Sequence, residues 1–296
     1  MPTRASLPLG YGGAPFRVAA ARGEGVSWGG LRRLPNPFHG VRSATAPTDL
    51  LDRAAALQTV FRAADCFSHL TAAALIGLRL PEGTRDPGLH VTTLGGGRAM
   101  RRPGIIGHVA RAGRGLALSS AALVVTDPVE TWTDLAASLT VDELVAMGDG
   151  LLARRGPLTT LAELERAAST GRPGAGRLRA ALEWMRPGTD SWRETMLRLA
   201  LVRRGVPEPE VNGVIIDDRG TVIAHGDLVW REQRLIVEYE GREHWADARQ
   251  FRIDIGRINR IGAHGWRHHR VDKHLLAAPD RLAHDVLTLL SATIRA

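Results

Sequence analysis

Apolar positions in the C-terminal third of the chain switch repeatedly between two spacings, three-and-four and contiguous. The first marks amphipathic helices and the second buried strands. From Ser191 the pattern predicts a helix to Arg204, closed by Gly205 as a C-cap. Pro207 and Pro209 extend the chain into a strand over Val211–Ile216, and Asp217-Asp218-Arg219-Gly220 has turn composition. A second strand is expected over Thr221–Trp230, a two-residue reversal at Glu232-Gln233, and a third strand over Leu235–Tyr239. Gly241 breaks it. Asp247 then caps a helix with Phe251, Ile255, Ile258 and Ile261 on one face, and Gly265 ends it. Trp266–Val271 reads as a further strand and Asp280–Thr293 as a last helix. The predicted order is α, β-β-β, α, β, α.

Upstream the pattern is looser. Phe16–Arg22 favours a helix, Gly23-Glu24-Gly25 breaks it, and Ser27 caps a short second helix toward Leu34. Pro35 and Pro37 stop that helix before strand-like Phe38–Arg42, which is the order of a small winged helix-turn-helix. Helices are expected from Thr48 or Asp49 to Arg62 and from Ser68 to Leu75, and strands over Leu89–Leu94 and Ile105–Val109. Asp127-Pro128 marks a helix start, and Thr140-x-x-Glu143 and Thr160-x-x-Glu163 are capping boxes. The fold class expected is α/β of the α+β kind. Three stretches are expected: a winged helix-turn-helix over 14–45, a mixed α/β region over 46–187, and a domain over 188–296 that begins after Pro187-Gly188.

Composition narrows the function classes. No run of residues is long and apolar enough for a membrane span, and the N-terminus lacks the apolar core of a signal peptide. Cys66 is the only cysteine, which excludes an internal disulfide and a multi-cysteine zinc site and fits a cytoplasmic setting. "TLGGGRAM" lacks the Lys-Ser/Thr pair of a phosphate-binding P-loop. The net charge of +8 points to an anionic partner, nucleic acid first. A second reading stands beside it: Lys273 is the only lysine, and an arginine skew with abundant Ala and Gly is what GC-rich coding produces. Most of the excess lies before residue 191, with 22 basic against 16 acidic residues. Arg17, Arg22, Arg32 and Arg33 are the phosphate-contact candidates there. His69, His90 and His108 are far apart in sequence and read as separate structural histidines.

The strand meander carries the candidate chemistry. Glu238 and Glu240 are two apart in a strand and share a face. A hairpin centred on Glu232-Gln233 sets Asp227 opposite Glu238. Acids inside the runs Leu228-Val229-Trp230 and Leu235-Ile236-Val237 need a partner. Mg²⁺, with Mn²⁺ as its substitute, would be held by Asp227, Glu238 and the Tyr239 carbonyl. The competing reading is solvent-facing acids on a half-exposed sheet.

"GDLVW", "LIVEYEG", "REHW" and "FRIDIGRINRIGAHGWRHHRV" together resemble the very-short-patch-repair branch of the PD-(D/E)XK (restriction-endonuclease-like) nucleases, over Ser191–Val271. The resemblance implies a Mg²⁺-dependent endonuclease with an αβββαβ core, cutting DNA sooner than RNA. It makes Asp227 and Glu238 the metal pair, puts Glu240 at the final motif position, and adds Glu194 to the metal shell. Ser191-x-x-Glu194 is equally a capping box, so both roles stay open. Glu240, or a water it holds, is the candidate base, and His244 either orients a water, protonates the leaving oxygen, or is a surface residue. Arg252, Arg257 and Arg270 are candidates for phosphate contacts, with an intrahelical Asp254–Arg257 pair as the alternative for one of them. The chain departs from the pattern at Glu240, where the superfamily has Lys and the branch more often Asp, and at Gly226, where Pro is usual; Lys273 lies beyond the last strand. "GVSWGGLRR" and "PFHGVR" resemble the N-terminal domain of AbiEi-family antitoxins. That resemblance implies the alternative function, a DNA-binding regulator whose nuclease fold no longer cuts. A protein partner is open on either reading.

Overall fold

The computed structural model describes residues 13–84, 88–111, 113–217, 219–240 and 248–292, with the backbone alone over 248–255. The fold is mixed α/β, as expected. The chain divides into two compact units, Met1–Leu78 with Glu82–Leu135, and Arg79–Pro81 with Ala136–Ala296. No described helix is long and apolar enough to cross a membrane.

The first unit opens with β1 (Phe16–Arg17), α1 (Val18–Gly23), α2 (Trp28–Leu31) and β2 (Val41–Arg42), and β1 pairs antiparallel with β2. Ser27 caps α2 as expected, accepting the Gly30 N–H at 3.2 Å. The helix lasts one turn because Gly29 and Gly30 sit inside it. Phe16, Ala21, Val26 and Leu31 form a small core. There follow α3 (Leu50–Gln58), β3 (Asp65–Phe67), α4 (His69–Leu75), β4 (Leu89–Thr93), β5 (Ile105–Val109), β6 (Leu116–Leu118), β7 (Val124–Thr126) and α5 (Pro128–Asp134). The strands form one sheet in the order β5-β4-β3-β7-β6. β5 is the neighbour of β4 and runs parallel to it. Asp127 caps α5 with Pro128 in its first turn.

The second unit begins with α6 (Val141–Leu151), α7 (Leu161–Ala168) and α8 (Ala175–Trp184), and both capping boxes are formed. These helices group with the C-terminal elements and not with the preceding sheet. Within this unit, the contact between α6, α8 and the C-terminal elements is polar and buried. Arg198 is fully buried, its guanidinium donating to Asp149 at 3.1 Å, to Glu208 at 3.1 Å and to the Trp184 carbonyl at 2.7 Å. Burial pushes the Asp149 carboxyl up, against the pull of Arg198 and the Arg186 N–H.

The remaining elements are α9 (Trp192–Val202), β8 (Glu210–Ile216), β9 (Val222–Trp230), β10 (Leu235–Tyr239), α10 (Ala248–Ala263), β11 (Arg267–Val271), α11 (Lys273–Leu276) and α12 (Pro279–Ser291). The predicted order holds, with the short α11 added. β8, β9 and β10 form an antiparallel meander, and β11 lies parallel beside β10. One face of the sheet packs Leu228, Trp230, Leu235, Val237 and Val271 against Leu197 and Leu201 of α9 and Leu282 and Val286 of α12. The other face packs Ile215, Ala224, Val229 and Ile236 against Ile261 of α10, with Trp266 half-buried beside them. The sheet is therefore the middle of three layers.

Candidate functional site

The position of the acids follows from one hairpin. Strands β9 and β10 pair Trp230 with Leu235, Val229 with Ile236 and Leu228 with Val237. The reversal has four residues, Arg231–Arg234, where the sequence suggested two; Arg234 takes φ 44° and donates its N–H to the Arg231 carbonyl at 3.1 Å. The loop is still centred on Glu232-Gln233, so the register is unchanged. Continuing it by one pair brings Asp227 opposite Glu238, and Asp227 Oδ2 accepts the Tyr239 N–H at 2.9 Å. Gly226 stands before Asp227 for a packing reason: a Cβ there would meet Ile236 Cγ2 at 2.6 Å and Val229 Cγ2 at 2.9 Å. Proline would bring the same clash.

Glu194 reaches this place from the first turn of α9, whose core contacts are on the opposite face of the sheet. Ser191 caps the helix through the Glu194 N–H at 3.1 Å, but the capping box is only half made. The Glu194 carboxylate accepts instead from the Asp190 N–H at 2.8 Å and from Asn212 Nδ2 at 2.9 Å. Asn212 pays for this reach with a left-handed backbone, φ 49°, which asparagine tolerates better than most residues. It also donates to the Gly188 carbonyl at 2.9 Å.

The three acids open into a cleft of about 460 Å³. Five carboxylates line it (Asp190, Glu194, Asp227, Glu238 and Glu240), with four arginines (Arg154, Arg155, Arg257 and Arg270), and His225, His268 and Asn212 among the rest. Three of the five carboxylates are ion-paired with arginines. Burial draws the Glu238 carboxyl upward, but His268 Nε2 at 2.7 Å and the guanidinium of Arg257 outweigh it, and the net direction is down. Glu240 is ion-paired with Arg270, and Asp190 with Arg154 at 2.5 Å. Asp227 is shifted the other way. Burial, with Glu194 and Glu238 adding like charge, pushes its carboxyl up to about 7, against the Tyr239 N–H and Arg257.

The sequence reading brought Glu194, Asp227, Glu238, Glu240, Arg257 and Arg270 to one place, and the structure gathers all six. Arg257 holds Glu238 and the His225 carbonyl. His244 lies outside the described residues, and Arg252 and Asp254 are described by backbone alone. Of the N-terminal arginines, Arg17 bonds the Thr59 and Phe61 carbonyls and Arg22 the Val26 carbonyl, while Arg32 and Arg33 are exposed. His268 was missed. Its signal is the parallel register of β11, which sets Ile236 beside His268 and Glu238 beside Arg270. A strand whose neighbour is unknown gives no such pairing. Arg154 and Arg155 come from a loop and Asn212 is the left-handed residue inside β8, and neither setting carries a periodic signal. The three histidines read as separate, His69, His90 and His108, are in fact together in the first unit.

No family model matches the chain, and no solved structure matches it. Two proteins of Mycobacterium tuberculosis do: the uncharacterized protein Rv2248 of strain H37Rv and the uncharacterized protein MT2308 of strain CDC 1551. Each is 31% identical over 250 residues, covering 81% of this chain and 85% of the relative. The chain belongs to the family of these mycobacterial proteins.

Proposed function

We propose that the cleft hydrolyses phosphodiester bonds of nucleic acid, DNA before RNA, in the cytoplasm, with Mg²⁺ or Mn²⁺ as cofactor and a restriction-endonuclease-like fold as frame. The observation that carries this is Asp227: a half-buried carboxylate crowded by Glu194 and Glu238, inside a cleft that also presents four arginines. A divalent cation is the chemistry that such a donor set fits, since it offsets the crowding and prefers oxygen. Asp227 and Glu194 would hold it first. Glu238 would join once Arg257 turns from its carboxylate to an incoming phosphate, an exchange of one anionic partner for another. The ion supplies a polarised phosphate and a water acidic enough to ionise near neutral pH. His268 keeps the Glu238 carboxylate oriented through its 2.7 Å contact. Glu240, freed from Arg270 in the same way, would take the proton of the attacking water. Arg155, exposed on the cleft wall, is a further phosphate contact.

The test uses the full chain with single-stranded DNA, duplex DNA and RNA, each with Mg²⁺, Mn²⁺ or chelator. Metal-dependent cutting by the wild type that vanishes in Glu238→Ala and Asp227→Ala supports the proposal. Equal cutting by wild type and variants refutes this site. A second reading, a DNA-binding regulator with a silent cleft, draws on the pairing of both Glu238 and Glu240 with arginines and on the absence of lysine from the cleft lining. DNA binding without metal, and no cutting of any substrate, would favour it.

A further inference from the structure

The first unit holds a cluster that the cleft chemistry does not use. Ring nitrogens of His69, His90 and His108 all lie within 4.8 Å of one another, and among the described residues no other trio of His, Cys, Asp or Glu is so gathered. Three separate elements deliver them. His90 on β4 pairs with Ile106, and His108 on β5 with Thr92, so both rings stand on one face of the sheet as diagonal neighbours. His69 is the first residue of α4, and the chain turns there at φ 51°, a left-handed conformation uncommon for histidine. The Ser68 N–H anchors that turn on the His90 carbonyl at 3.2 Å. Gly107 of β5, between Ile106 and His108, lets the Met100 backbone pack against the strand: a Cβ there would meet the Met100 carbonyl oxygen at 2.1 Å. The result is three half-buried rings: His69 and His108 are stacked at 3.8 Å, and His90 Nδ1 lies 2.9 Å from His108 Nε2.

His69 Nδ1 is already engaged, 2.9 Å from Ser68 Oγ and 3.8 Å from the Asp134 carboxylate. Asp134 is itself buried and paired with Arg114. With Nδ1 taken by the Ser68 hydroxyl, Nε2 is the nitrogen left for a ligand, and a polar partner on the other ring nitrogen is how ligating histidines are usually oriented. We propose that His69, His90 and His108 bind one divalent transition ion of the zinc class, His69 through Nε2, with a fourth position open to water. Imidazole suits this class of ion and not the hard Mg²⁺ of the carboxylate cleft. Metal–nitrogen bonds of about 2.0–2.1 Å set tetrahedral ligands about 3.3 Å apart. The 2.9 Å contact of His90 and His108 therefore needs to open by a few tenths of an ångström, and the His69 ring, stacked on His108, needs to turn so that its Nε2 lone pair faces the ion. The competing arrangement is a hydrogen-bonded stack of three neutral rings with no ion.

The test is metal content and Co²⁺ spectroscopy on the full chain without a histidine tag, stripped with chelator and then titrated with Co²⁺ or Zn²⁺. One ion per chain after desalting, with visible ligand-field absorption of the Co²⁺ form, is expected for the wild type and for Glu238→Gln. His90→Gln and His108→Gln should lose both. A folded wild type that retains neither Co²⁺ nor Zn²⁺ overturns the proposal, as does wild-type absorption in both histidine variants. If a histidine variant fails to fold, the ion retained by Glu238→Gln together with nitrogen-type ligand-field absorption still assigns it to the histidines, and its loss in Glu238→Gln would overturn the proposal.

Discussion

Asp227→Asn is the most informative change in the cleft. In the metal-free protein the carboxyl titrates at about 7 against an ordinary 3.8, a difference of roughly three pH units. Each unit corresponds to about 1.4 kcal/mol, so the group shifts stability by up to about 4 kcal/mol between its two protonation states. The folded chain keeps a proton that the unfolded chain has released. The stabilisation is therefore complete below about pH 4 and is lost as the pH rises through 7. Asparagine keeps the shape and can still accept the Tyr239 N–H, but it cannot ionise. Urea unfolding in chelator, followed by tryptophan fluorescence from pH 4 to 8, should show the two proteins nearly equal at the acid end. At pH 8 the variant should be more stable by up to about 4 kcal/mol. Adding Mg²⁺ at pH 8 should raise the wild type and leave the variant unmoved, because binding stabilises only the chain that holds the ion. A pH-independent difference between wild type and variant would refute the crowding argument. A Mg²⁺ response preserved in Asp227→Asn would refute the assignment of the ion.

Three further outcomes follow from contacts described above. Trp230 is buried among Leu228, Leu235 and Val237 and donates to the Pro207 carbonyl at 2.9 Å, so Trp230→Ala should cost about 3–5 kcal/mol in urea unfolding; a loss under about 1 kcal/mol would show the packing is wrong. Arg257→Ala leaves Glu238 with His268 alone and should lower metal-free stability by about 1–3 kcal/mol at pH 8, less at pH 5, where the abandoned carboxylate can take a proton; equal losses at both pH values would contradict this. Arg32→Gln and Arg33→Gln should each reduce the salt slope of DNA binding by about one, whereas Arg17→Gln, whose guanidinium is held by two carbonyls, should act on stability first; an unchanged salt slope in the double variant would remove this surface from the interface.

The C-terminal sheet was legible because its strands are long, apolar and separated by strong turn residues. Leu235–Tyr239 was read to the residue, and the acids could be paired across the hairpin from its centre alone. Composition could not tell a two-residue loop from a four-residue one, since both centres coincide. β3, β6 and β7 went unread: three residues show no alternation, and their burial depends on neighbours distant in sequence. The same limit hid His268 and the histidine trio. Each is a relation between strands, fixed by which edge meets which, and nothing within one segment announces it.

Arg198 bears on how this protein can be taken apart. Its two partners upstream, Asp149 on α6 and the Trp184 carbonyl at the end of α8, both precede the stretch that resembles a nuclease. A fragment cut at residue 188 would carry the guanidinium into the fold and leave those partners behind. Glu208 would remain as its one carboxylate partner, but breaking the buried pair with Asp149 destabilises by about 3–5 kcal/mol, a large part of what holds a domain together. The helices before α9 are thus structural counter-ion as much as scaffold. The carboxylate cleft is not a portable module of some hundred residues; the shortest piece expected to stand alone starts near Ala136. Transplanting the cleft into another protein would have to carry α6 and α8 along with it.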